Sequence, residues 1–163
     1  MNPAGIGAAI GALFGGLWGF AAASQLGGRW TVPLQLVSIG ITVLIVGALL
    51  IRGAGAGNGT RFKGGIYLTA VALEAVAIVV ALNMLAAYHL QQAIGPVTGF
   101  LVGLHFIGLW LATGARIFVL ITLGCCLVCA ASLLALPFPA TAIAAGFGMA
   151  IVLWGATAAT VRR

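Results

Sequence analysis

The sequence predicts an all-α integral membrane bundle of six transmembrane helices. Sixty-three per cent of its 163 residues are hydrophobic and only 5% are charged, far below the quarter that is typical of a soluble domain. The apolar residues fall into six runs of about 20 residues, the length that crosses a bilayer core of roughly 30 Å. The basic residues lie between these runs. We therefore expect a single transmembrane domain over residues 1–163, in contact with the lipid bilayer.

Local sequence signals separate the six spans. Pro33 and Pro96 stand at the start of the second and fourth spans, where a helix tolerates proline. The segment LPFP (136–139) divides the last two spans, and the glycine-rich basic stretch 52–65 predicts a loop. The predicted spans are, in order, residues 4–24, 34–51, 65–87, 96–112, 116–136 and 140–160.

The distribution of basic residues predicts the orientation, because Lys and Arg concentrate in cytoplasmic loops. With six spans, Arg29 alone lies on one side of the membrane. The other side receives the remaining six of the seven basic residues: Arg52, Arg61, Lys63, Arg116, Arg162 and Arg163. This bias predicts a multi-pass membrane protein with both termini in the cytoplasm. A nucleic-acid partner is not predicted, since such proteins gather basic residues on a soluble face.

Glycines recur at every fourth position of the first span, at Gly7, Gly11, Gly15 and Gly19. They form one stripe on which another helix can approach to backbone contact. The favoured interpretation is packing inside the bundle. The alternative is a surface that binds a second copy or another membrane protein, which would make the chain a non-catalytic scaffold or accessory subunit.

Glu74 is the only acidic residue in the chain and lies in the apolar run TAVALEAVAIVVALNM (69–84). Ala70, Ala77 and Ala81 share its helix face, and such small neighbours allow another helix to pack there. The carboxyl group should therefore point into the bundle. A charged carboxylate in the middle of a membrane is unfavourable unless it is paired or protonated.

His105 is the predicted partner of Glu74. Glu74 lies nine residues, roughly 13 Å, from the cytoplasmic start of its span. His105 lies nine residues from the opposite face on the next, antiparallel span, so the two fall at similar depth, and Gly108 and Ala112 leave room beside the imidazole. Such a pair could share a proton near neutral pH. Three interpretations stay open: a proton or ligand site, a pair that only sets helix register, and no contact at all.

The three cysteines lie in one apolar run, where isolated cysteines act as small hydrophobes. A weaker alternative is a soft-metal site formed by Cys125, Cys129 and His105. The four tryptophans fall mostly toward span ends and indicate the usual interfacial belt. The sequence contains no nucleophile–base set and no paired carboxylates, so it does not favour an enzyme, and no cofactor is predicted.

The segment GLHFIGLW (103–110) carries a resemblance to a known group. The chain resembles small uncharacterised bacterial multi-pass membrane proteins that carry a Gly-x-His-Phe element on a late helix. Gly108 stands where a proline often follows in that group. The resemblance implies a six-helix bundle and draws attention to His105, but it implies no activity. The residues that match are Gly103, Leu104, His105 and Phe106.

These observations together favour a transporter or channel-like protein with a buried, proton-sensitive centre at Glu74 and His105. The scaffold that packs through the glycine stripe is the alternative. A metal-binding membrane protein or membrane enzyme is the third hypothesis.

Overall fold

The computed structural model describes residues 3–53 and 62–161, and these residues are organised as helices. Short 3-10 turns at Gly28–Trp30 and Gln91–Ala93 precede the second and fourth α-helices. The six α-helices are each long and apolar enough to cross a membrane. They are α1 (Pro3–Leu26), α2 (Thr31–Arg52), α3 (Gly64–Ala87), α4 (Ile94–Thr113), α5 (Ile117–Ala135) and α6 (Ala140–Thr160).

The helices confirm the six predicted spans, with small differences at their ends. The end of α1 is at Leu26 rather than at residue 24. The largest difference is at α2, which begins at Thr31 rather than at residue 34, and α4 begins at Ile94 rather than at residue 96. Pro33 and Pro96 therefore occupy the third helical position and not the first. The physical reason is that the first four N–H groups of a helix have no intrahelical acceptor, so proline is tolerated throughout the first turn.

Basic residues in the described part of the chain lie at helix ends or between helices. Arg52 is the last residue of α2, Lys63 immediately precedes α3, and Arg116 immediately precedes α5. Arg29 lies in the turn before α2. The other three residues of the predicted charge bias, Arg61, Arg162 and Arg163, lie outside the described residues.

The chain divides into two compact units. The first comprises residues 1–57 and 146–163 and contains α1, α2 and most of α6. The second comprises residues 58–145 and contains α3, α4 and α5. Most of the last helix thus belongs to the same unit as the first two helices.

The glycine stripe of α1 packs mainly within the first unit. A methyl group added to Gly15 would lie 2.7 Å from Trp154 Cδ1, and one added to Gly19 would lie 2.7 Å from Ser38 Oγ. One added to Gly11 would lie 2.9 Å from Thr157 Oγ1, whereas Gly7 has no such neighbour within 4 Å. Three of the four glycines therefore lie against α2 or α6.

Trp154 is buried in the first unit and does not belong to an interfacial belt, so the belt assignment is wrong for this residue. Its side chain is only 9% exposed, and its indole Nε1–H donates to Thr42 Oγ1 at 3.2 Å. The Thr42 hydroxyl in turn donates to the Ser38 carbonyl at 2.9 Å. The reason is local: Gly15 and Gly19 leave space on α1 that the indole ring fills.

In the second unit α4 packs against α3 and also against α5. The Lys63 backbone N–H donates to the Ala112 carbonyl at 3.0 Å, which places the start of α3 beside the end of α4. Gly114 ends α4 in the left-handed conformation at φ 72°, and its N–H donates to the Trp110 carbonyl. These bonds satisfy carbonyls that the end of a helix leaves without partners. The helices α3 and α4 are therefore adjacent and antiparallel.

Many hydroxyl groups within the helices donate to a carbonyl one turn earlier on the same helix. This arrangement satisfies a polar group without water, as a membrane interior requires. The bonds of this kind run from Ser38 to Leu34, Thr42 to Ser38, Thr69 to Gly65, Thr122 to Phe118, Ser132 to Val128 and Thr157 to Leu153.

Candidate functional site

The site lies between α3 and α4, on the alanine-lined face of α3. Ala70, Glu74 and Ala77 follow one another on this face at helical spacing. A methyl group added to Gly108 of α4 would overlap the Ala70 side chain. The two helices thus approach closely one turn from Glu74, because both contact residues are small.

Glu74 and His105 lie together near the middle of these two helices. The Glu74 Oε2 atom is 3.1 Å from His105 Nδ1, and the Glu74 and His105 side chains are 19% and 11% exposed. Although the distance is short, the ring N–H is not aligned with the carboxylate, and Nδ1 is a buried atom without a hydrogen bond. The distance brings the carboxyl group and the imidazole into direct contact, whereas the alignment shows that the two groups are not locked into a linear hydrogen bond.

Two aromatic rings contact the imidazole of His105. The Tyr67 ring meets it edge-on at a centroid distance of 6.1 Å, and the Phe106 ring does so at 5.9 Å. Phe106 also stacks on Phe118 of α5 at 6.2 Å. Contacts of this geometry are favourable between rings, so α3, α4 and α5 together orient His105 toward Glu74.

The pair opens into a cleft of about 840 Å³ between α3 and α4. Leu73, Leu104 and Leu111 border the cleft and are exposed, so the cleft is open along one side. Its polar side chains are Glu74, His105 and Thr69, and the Thr69 hydroxyl is already bonded to the Gly65 carbonyl. The other lining residues are Gly65, Ile66, Ala70, Ala77, Leu101, Ile107 and Gly108.

Glu74 and His105 are thus the ionisable groups of an otherwise apolar cleft. In the described part of the chain, neither side chain makes a hydrogen bond to a further residue. A carboxylate and an imidazole at this distance can hold one proton between them. The carboxylate can also receive a cation from the cleft, because Glu74 lines the cleft and its side chain is 19% exposed.

The cysteines occupy a different place from the Glu74–His105 pair. Cys125 and Cys129 are buried on α5, and a methyl group added to Gly103 of α4 would lie 2.9 Å from Cys125 Cβ. The Cys126 thiol lies 3.7 Å from the Phe100 carbonyl, to which it donates. Among the residues that the structure describes, no three His, Cys, Asp or Glu side chains are grouped to hold a metal ion. The alternative site of Cys125, Cys129 and His105 is therefore not assembled there.

Sequence reasoning missed the aromatic neighbours of His105 and the apolar walls of the cleft. Tyr67 carried a usable signal, since it precedes Glu74 by seven residues and therefore lies two turns away on the same helix face. Phe106 carried none, because a phenylalanine next to the histidine is ordinary in so apolar a helix.

Comparisons with known proteins add no relative to this description. No family model matches the chain, and neither a curated protein nor a solved structure matches it.

Proposed function

We propose that the protein is a small transporter or channel-like membrane protein whose proton-sensitive centre is the Glu74–His105 pair. The observation that carries this proposal is the 3.1 Å contact between the two side chains in the middle of adjacent helices, at a cleft of about 840 Å³. Ionisable residues inside membrane helices are costly to bury and commonly mark proton and substrate pathways.

The environment of the pair favours proton exchange over a purely structural role. Hydroxyl groups elsewhere in these helices are satisfied by their own backbone, as Thr69 and Thr122 illustrate. Glu74 instead lines the cleft and remains partly exposed, and His105 Nδ1 has no aligned partner. A pair that only sets helix register would gain most from a sealed, aligned hydrogen bond. The open geometry leaves room for a proton to move or for a ligand to enter.

The proposed setting is the inner membrane of a bacterium, with both termini in the cytoplasm. The six-to-one distribution of basic residues supports this orientation, and the Gly103–Phe106 element supports the bacterial setting by resemblance. In this orientation Lys63 and Arg116 lie on the cytoplasmic side, at the start of α3 and α5.

The scaffold alternative is less well supported. It requires an outward-facing glycine stripe, whereas Gly11, Gly15 and Gly19 lie against residues of α2 or α6. Gly7 alone retains the free surface that the alternative needs.

Infrared spectroscopy tests the proposed proton site directly, because Glu74 is the only acidic side chain in the protein. The chain terminus carries the one other carboxyl group. Any further C=O stretching band of a protonated carboxyl group that changes with pH therefore belongs to Glu74. We expect this band in the purified protein and its loss in Glu74→Gln. His105→Asn should change its pH dependence, whereas His89→Asn, at the exposed end of α3, should not. A band that is constant with pH would contradict the proposal.

A measurement of proton flux tests whether the protein transports protons, as the proposed function requires. Proteoliposomes with a trapped pH indicator should show a proton flux in response to a membrane potential or to a substrate gradient. The flux should be lost in Glu74→Gln and retained in His89→Asn. Equal fluxes for the unmodified protein and for Glu74→Gln would argue against transport through this centre.

A further inference from the structure

We propose that the α3–α4 cleft binds a monovalent organic cation with an apolar body, in exchange for the proton held by Glu74 and His105. This inference rests on the proposed function of the same site and names its substrate class. It follows from the charge of the site, from the number of polar ligands it offers, and from the character and size of the cleft.

The charge of the site favours a ligand with a single positive charge. When Glu74 and His105 hold one proton between them, their summed charge is zero, which is the least unfavourable state inside a membrane. A monovalent cation beside the carboxylate keeps this sum at zero only if the proton leaves. The exchange is therefore balanced: one cation enters, the Glu74 carboxylate becomes its counterion, His105 becomes neutral, and one proton is released.

Other titratable groups around the pair are few. On α3 the nearest is Tyr67, whose ring contacts His105, and Lys63 precedes the helix. His105 is the one titratable residue of α4, and the turn Gln91–Ala93, which packs on both helices, has none. On α5, which packs on α4, the titratable residues are Cys125, Cys126 and Cys129. Of these, Cys125 meets α4 at Gly103, and Cys126 meets it at Gly103 and Phe100. The sequence provides no second carboxylate, so one acid serves both ligands.

The number of polar ligands argues against an inorganic ion. Ca²⁺ and Mg²⁺ need about six or more oxygen ligands, and most transition-metal sites need three or four protein ligands. The cleft offers one carboxylate, one imidazole and one threonine hydroxyl that is already bonded to its own helix. An anion is disfavoured by the carboxylate itself.

The walls of the cleft supply what an organic cation needs. Leucine, isoleucine, alanine and glycine side chains line it, and they can shield the apolar body of a ligand while the carboxylate neutralises its charge. The volume of about 840 Å³ lies within the usual range for small-molecule sites, roughly 300–1,000 Å³. The exposed Leu73 and Leu111 at its border allow an apolar ligand to enter from the side.

Binding of tetraphenylphosphonium to the purified full chain in lipid nanodiscs tests this inference. Tetraphenylborate has the same shape and the opposite charge, so it is a matched probe. We expect one phosphonium ion to bind per chain with release of about one proton, and with affinity that rises up to tenfold per pH unit, as one-proton linkage requires. Tetraphenylborate should bind at least tenfold more weakly.

Variants assign the binding to the pair. Glu74→Gln should weaken phosphonium binding at least tenfold, whereas Ala86→Gln, which adds the same amide to an exposed position in the last turn of α3, should not. If Glu74→Gln does not fold, proton release by the unmodified protein and binding by Glu74→Asp still decide the question. Equal binding of both probes, binding without proton release, or binding unaffected by Glu74→Gln in a folded protein would each overturn the inference.

Failure here is distinguishable from failure of the proposed function. A carboxyl band that changes with pH, together with a proton flux but no phosphonium binding, overturns the cation inference and leaves the proton site intact. A carboxyl band that does not change with pH removes the proton site, and the exchange is overturned with it.

Discussion

Gly108 of α4 lies against Ala70 of α3 so closely that a Cβ atom at position 108 would overlap the Ala70 side chain. This contact lies one helical turn from the Glu74–His105 pair on both helices. The distance between the two helices at the site is therefore determined by the absence of a side chain at position 108. The Glu74–His105 contact depends on this small-residue contact, because the carboxyl group and the imidazole meet only if the helices stay close.

We expect Gly108→Ala to separate α3 from α4 and to destabilise the protein. Overpacking of this kind typically lowers the free energy of unfolding by about 1–3 kcal/mol. Denaturation in detergent, followed by tryptophan fluorescence, measures the loss. The substitution should also weaken the Glu74–His105 contact, which the pH dependence of the carboxyl infrared band reports.

Ala70→Gly provides the matched control for this prediction, because it removes the Cβ atom that Gly108→Ala meets. The double variant should recover most of the stability that the single variant loses. A Gly108→Ala protein as stable as the unmodified chain, with an unchanged infrared titration, would show that the helix spacing is not set by this contact.

The Glu74–His105 pair should contribute a modest coupling energy. Membrane double-mutant cycles for polar contacts average about 0.6 kcal/mol and reach about 1.7 kcal/mol. We expect a cycle of Glu74→Gln and His105→Asn to fall in that range, measured from the free energies of unfolding of the four proteins. A coupling energy near zero would mean that the 3.1 Å approach is not an energetic interaction.

Glycines of the first unit should differ in their tolerance of alanine. Gly15→Ala places a methyl group 2.7 Å from the Trp154 ring, and we expect it to lower the free energy of unfolding by about 1–3 kcal/mol. Gly40 of α2 has no such neighbour within 4 Å, so Gly40→Ala should be neutral or stabilise by up to about 1 kcal/mol through helix propensity. Equal effects of the two substitutions would contradict the packing described for α1.

The stability of the protein should depend on the hydrogen bond from Trp154 to Thr42. Trp154→Phe removes the indole N–H that donates at 3.2 Å, and Thr42→Val removes the acceptor while it preserves the volume. Thr42→Val should cost about 1–3 kcal/mol of unfolding free energy, because the buried indole N–H loses its acceptor. Trp154→Phe should also lower the unfolding free energy through the smaller side chain, although the Thr42 hydroxyl keeps its bond to the Ser38 carbonyl. The double variant should cost less than the sum of the two single variants. Strict additivity would indicate that the hydrogen bond contributes nothing.

The sequence alone was sufficient for the helices and for the level along α3 and α4 at which Glu74 and His105 meet. Six apolar runs of membrane-spanning length predicted six helices, with boundaries that differ from the structure by a few residues. The depths of Glu74 and His105 followed from counting residues along antiparallel helices, because every residue of an α-helix advances it by about 1.5 Å. The expectation that Ala70 faces a neighbouring helix followed from its small size and its spacing from Glu74.

Only the tertiary structure decided how each helix is rotated and which neighbours it meets. The helices are apolar on every side, so the sequence carries little information about which face turns inward. The contact of Gly108 with Ala70, the burial of Trp154 against Gly15, and the open cleft beside Glu74 all depend on packing between distant segments. The same is true of α6, which joins the unit of α1 and α2 although α5 precedes it in the chain. Side-chain size and shape at these contacts decide the arrangement, because apolar character alone does not distinguish one helix partner from another in a membrane.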